Sequence, residues 1–134
     1  MTQTSSLVAT QLRPRFKGDS GVVTIPASGN TVLLTCILEA CVQNLAAELI
    51  VAVHSIDAFL VEAQFHPDGD WVTITNAVTS TPAGLILAAS GTLASQAAGN
   101  GWLIMDVRGL YAVRFSASGS TDDTTTARIL ASGS

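Results

Sequence analysis

The residues able to do chemistry are few and scattered. His54 and His66 are the only histidines in the 134-residue chain. His66 opens the turn Pro67-Asp68-Gly69-Asp70, which gathers one imidazole and two carboxylates. Those donor types could hold a cation or polarise a hydrolytic water. The turn lacks the remaining ligands and the closing Glu of an EF-hand loop, and its residues are those a chain reversal needs anyway. Solvated turn chemistry is therefore the expectation. A hydrolase using His66 with Asp68 or Asp70 is the competing reading, testable by metal analysis and an esterase and glycosidase screen. Cys36 and Cys41, the only cysteines, are spaced C-x4-C without the second ligand pair of a structural zinc site. Both lie in the apolar run 32–42, where free buried thiols are expected and a disulfide between them is the alternative. There is no G-x-S-x-G elbow, and Gly99-Asn100-Gly101 leads into a strand where a phosphate loop would open a helix. Trp71, Trp102 and Tyr111 have rings that can stack on sugars, but each borders a strand where a sandwich wants core filling, and core is the expected role. These residues imply no catalytic residue, no metal and no cofactor: not an enzyme.

Composition points to contact surfaces. Charged residues make up 12% of the chain and hydrophobic ones 48%, against about 25% charged in ordinary soluble domains. No apolar run approaches the roughly 18 residues of a membrane span, so no membrane partner is expected. A body so poor in charge is expected to bury surface against other chains; a small monomer kept in solution by its hydroxyls is the alternative. Residues 1–17 carry Arg13, Arg15 and Lys17 with no acid, whereas residues 18–134 carry three basic and ten acidic residues, a net −7. That acidic body argues against nucleic acid as the partner. No charged segment precedes an apolar one at the N-terminus, so no secretory signal is read and assembly in a cytoplasm is expected.

The elements that would position these residues read as strands. Residues 1–20 form an extended basic arm, with Pro14 opposing a helix. Residues 21–134 form one domain, with strands expected at 21–25, 31–38, 45–56, 59–66, 71–75, 85–89 and 124–130, and loops at 76–84 and 90–100. The segment 45–56 opens with helix-forming residues, but Ile50, Val51 and Val53 favour strand. Residues 101–117, GWLIMDVRGLYAVRFSA, read as two strands hinged at Arg108-Gly109. After the hinge Tyr111, Val113, Phe115 and Ala117 share one face, and Arg114 and Ser116 the other. Asp106, Gly109 and Tyr111 suggest a sandwich corner, where Gly permits the bend and the Tyr hydroxyl can bond to nearby backbone. Arg114 is expected to pair with Asp106 or with a neighbouring subunit, and 132–134 to be a loose end. About nine short strands at this spacing predict an all-β, antiparallel β-sandwich, jelly-roll-like.

The segment 101–131, with D-V-R-G-L-Y-A-V-R followed by the Thr-rich T-D-D-T-T-T-A-R-I-L, resembles small β-sandwich virion proteins of tailed bacteriophages. Within that group the chain is most similar in size and character to capsid decoration, or cement, proteins. The resemblance implies a jelly roll that forms a homotrimer, sits on the capsid surface of the virion and clamps the major capsid protein. On that reading Arg13, Arg15, Phe16 and Lys17 of the arm would meet an adjacent subunit. The alternative is a tail, neck or fibre-associated binding module whose loops touch a tail protein or a host glycan.

Overall fold

A computed structural model describes residues 16–38, 42–74, 85–90, 98–120 and 124–134. Its ten strands are β1 (Phe16–Asp19), β2 (Val23–Thr24), β3 (Asn30–Ile37), β4 (Asn44–Ala52), β5 (Ile56–Gln64), β6 (Trp71–Thr73), β7 (Ile86–Ala89), β8 (Gly99–Asp106), β9 (Ala112–Ser120) and β10 (Thr126–Gly133). They form two antiparallel sheets. Sheet A has the order β1-β10-β4-β8-β7, with β2 also on β10, and sheet B the order β3-β9-β5-β6. The chain crosses between sheets at β2–β3, β3–β4, β4–β5, β6–β7, β8–β9 and β9–β10. This is jelly-roll connectivity, and the expected all-β sandwich is the observed one.

The sandwich follows from alternation. In β4, Leu45, Ala47, Leu49 and Val51 are buried; Ala127, Ile129 and Ala131 of β10 and Leu103 and Met105 of β8 join them from the same side. Sheet B contributes Phe59, Val61 and Ala63 from β5 and Val113, Phe115 and Ala117 from β9. The Phe59 and Phe115 rings lie parallel at the centre, 6.1 Å between centroids. Strand-forming residues at period two thus win over the helix-forming start of β4, because β4 is flanked by β10 and β8 along its whole length.

Several boundaries differ from the sequence expectation. Phe16–Asp19 is a strand, paired from Phe16↔Gly133 to Asp19↔Leu130. β1 and β2 share one edge of β10 and are parted by a kink. There Gly21 takes φ 68°, and the Ser20 hydroxyl accepts from the Ile129 amide at 2.8 Å. Nor is 132–134 loose: Gly133 is the last residue of β10, and the Ser134 amide donates to the Asn44 carbonyl at 2.9 Å. A Cβ at Gly133 would stand 2.9 Å from Val42 Cγ1, so this close closure requires glycine. β8 begins at Gly99, inside the expected loop. Phe65, in step with Phe59, Val61 and Ala63 along the sequence, is exposed beyond the end of β5.

Candidate interaction surface

His66 lies exposed on its turn, where its Nδ1 accepts a hydrogen bond from the Asp68 amide at 3.1 Å. The imidazole closes the turn it begins. Among the described residues, no group of three or more His, Cys, Asp or Glu side chains is placed to hold a metal ion. Cys36 is a free thiol in the core, and burial pushes its pKa up to about 12, far from the thiolate a nucleophile needs. Cys41 lies outside the described residues, as do most of the loops 76–84 and 90–100.

At the corner, Gly109 takes φ 86°. The Asp106 carboxylate accepts from the Arg108 amide at 3.1 Å and from its guanidinium at 2.9 and 2.7 Å. Those bonds hold the Asp106 pKa down to about 2. Tyr111 is tied in through its backbone: its amide donates to the Gln64 carbonyl and its carbonyl accepts from the Leu38 amide, both at 2.9 Å. Arg114 pairs with Glu62, not with Asp106; the two bonds are 3.0 and 3.2 Å long. The reason is register, since Glu62 lies directly across from Arg114 on β5. The guanidinium also lies 4.4 Å from the centroid of the Trp71 ring, a cation–π contact that fixes Trp71 on the outer side of sheet B.

The outer face of sheet A carries an apolar surface. Trp102 and Ile104 point outward there and are 45% and 39% exposed, and Leu87 beside them on β7 is 63% exposed. This corrects the expectation that Trp102 fills the core: in β8 the inward positions belong to Gly101, Leu103 and Met105. Two shallow depressions cross the face. One, of about 350 Å³, is lined by Ala46, Glu48, Trp102, Ile104, Leu130 and Ser132. The other, of about 360 Å³, shares Leu130 and Ser132 and runs out over Lys17 and Asp19 of β1. Of the arm residues singled out in the sequence, Phe16 and Lys17 are therefore in the sheet, Phe16 packed against the core and Lys17 on this outer face. Arg13 and Arg15 lie outside the described residues.

The edge of this face is clasped by charge. The Asp19 carboxylate accepts from the Arg128 guanidinium at 2.9 and 2.6 Å and from the Gly21 amide at 2.8 Å. Arg128, and then Gly21, lower the Asp19 pKa to about 2. A carboxyl depressed on folding stabilises the fold above its unfolded pKa of about 4 and ceases to do so as pH falls through its folded value. The expected outcome is that amides pairing β1 with β10 keep their exchange protection, corrected for intrinsic rate, at pH 4–5 and lose it selectively as the pH approaches 2. Selective loss already at pH 5 would show that the clasp does not hold β1.

No protein-family model matches the chain, and no curated protein sequence matches it. Among solved structures, the SPBc2 prophage-derived protein YomS aligns with 90% of this chain and 98% of its own, at 14% identity and a TM-score of 0.47. The PBSX exported protein XepA aligns with 92% of this chain, at 10% identity and a TM-score of 0.51. This chain spans 39% of XepA's length, and the likeness is one of fold.

Proposed function

We propose that the protein is a non-enzymatic structural component of a tailed-bacteriophage particle: a decoration protein on the outside of the head that binds the major capsid protein and stabilises contacts between its subunits. The observation that carries this reading is the outer face of sheet A. Large apolar side chains stand there on regularly paired strands, with Trp102, Ile104 and Leu87 exposed together. A monomer rarely maintains such a surface, whereas a permanent assembly buries it. The jelly roll shared with the phage-derived XepA supports a phage setting, as does the resemblance of residues 101–131 to phage virion proteins. Arg13 and Arg15 supply a basic segment that can reach acidic groups on a capsid subunit, giving a second point of attachment. Assembly takes place in the host cytoplasm.

The test is co-sedimentation of the purified protein with heads that lack it. Saturable binding to heads, with a rise in their resistance to heat or chelator, is the expected result. Removing residues 1–15 leaves β1 in place and is expected to weaken head binding roughly tenfold or more while leaving the melting temperature unchanged. Binding to isolated tails or host glycans, with none to heads, would transfer the protein to the tail or fibre class.

A further inference from the structure

We propose that the outer face of sheet A is covered by a second copy of this chain, related by a twofold axis that lies in the plane of the face and runs across the strands. The inference deepens the virion role, which it takes as given, by naming what lies on that face.

Strand pairing sets the outward residues in rows. One row runs Lys17, Ser132, Ala46, Ile104 across β1, β10, β4 and β8, and the next runs Asp19, Leu130, Glu48, Trp102. A twofold axis between the rows brings each row of one copy over the other row of its partner. On β1 and β10 the residues that meet are then complementary in charge and in size, and on β8 two apolar side chains meet. Lys17 meets Asp19, Ser132 meets Leu130, Ala46 meets Glu48, and Ile104 meets Trp102. Each contact occurs twice, as an isologous interface requires. Small side chains lie beneath large ones on the two central strands, which lets the sheets approach to the usual spacing of about 10 Å. An axis running along β4 would instead set Glu48 against Glu48, an unfavourable like-charge contact.

Charge fits the same arrangement. The three arginines among the described residues are paired within the chain, to Asp106, Glu62 and Asp19. Lys17 has no ion-pair partner among the described residues, and it lies in the row that would face Asp19 and Glu48. Glu48 keeps the hydrogen bond it accepts from Asn100 at 3.2 Å. The resulting twofold pair stands in place of the trimer that the sequence resemblance implied.

Sedimentation of the purified full-length chain tests this directly. A concentration-dependent dimer is expected. Ser132→Leu sets leucine over Leu130 twice and is expected to weaken the dimer roughly tenfold or more. Combining it with Leu130→Ser restores the large-over-small pattern and should recover the dimer. Lys17→Glu, at an exposed position that leaves the fold intact, should weaken association and make it improve with added salt, because like charges then face each other. Unchanged far-UV circular dichroism separates loss of pairing from loss of fold, and if the β10 variants do not fold the Lys17→Glu result decides. A monomer, a trimer, a dimer indifferent to Ser132→Leu, or a dimer not recovered by the double exchange overturns the proposal. A monomer that still binds heads would remove this pairing and leave the virion role standing; a dimer that ignores heads would do the reverse.

Discussion

Phe115→Ala is expected to remove about 3–5 kcal/mol of folding stability, a large part of the 5–15 kcal/mol a domain of this kind holds. Phe115 is fully buried on β9, the strand that β3 and β5 both pair with. Its ring stacks on Phe59 across the β5–β9 pairing. Truncation removes the transfer free energy of the ring and leaves a cavity that two β-sheets, fixed by their hydrogen bonds, cannot close. Urea and thermal unfolding of the variant should show the midpoint falling by roughly 10–20 °C. A cycle with Phe59→Ala should recover about 0.5–1.5 kcal/mol of coupling between the rings. A loss below about 1 kcal/mol for Phe115→Ala would mean that the two sheets do not close over this pair.

Phe115 shows what the sequence makes legible. The alternation of Val113, Phe115 and Ala117 against Arg114 and Ser116 specifies a strand and a buried face, and the structure has both, with Ser116 on the other face buried as well. Phe59, Val61 and Ala63 announce β5 in the same way. Such patterns are local, and a strand that buries one face must write them into its own residues. What is not legible is set by partners distant in sequence. β1 is four residues, Phe-Lys-Gly-Asp, with no pattern of its own; it is a strand because β10, more than 100 residues away, offers an edge. The end of β10 reads as a Ser-Gly-Ser tail until Val42, Phe16 and Asn44 are seen closing around Gly133. Arg114 finds Glu62 by register alone, and register cannot be read before the strand order is known.

Trp102 is the instructive case for the candidate surface. Its size argues for the core, but in G-W-L-I-M-D it alternates with Leu103 and Met105, and only one of the two sets can face inward. Sheet A chooses Leu103 and Met105 because Leu45, Ala47 and Leu49 lie beside them on β4. The same alternation, followed through to the question of which set packs better with neighbours, was the available signal that the indole is an outer-face residue. The outer face as a whole was hidden, since its rows join residues from four separate parts of the chain.

That placement gives Trp102→Glu two opposed consequences, and their separation tests the account of the surface. If the indole belongs to an interface, the fold should tolerate its loss: the backbone amide still donates to the Ser90 hydroxyl at 3.0 Å, and the new carboxylate beside Glu48 costs about 0.2–1 kcal/mol as a cross-strand like-charge pair. Association should suffer far more. A buried aromatic anchor is worth about 2 kcal/mol or more, and a twofold pair loses two of them, so self-association should weaken roughly a thousandfold. Head binding should fall with it, because a protein that no longer pairs brings one basic segment to the shell where a pair brings two. Sedimentation, head binding and thermal melting of the one variant report all three effects. A melting temperature that drops as for Phe115→Ala, with association unchanged in the folded fraction, would return Trp102 to the core and leave the outer face of sheet A without its anchor.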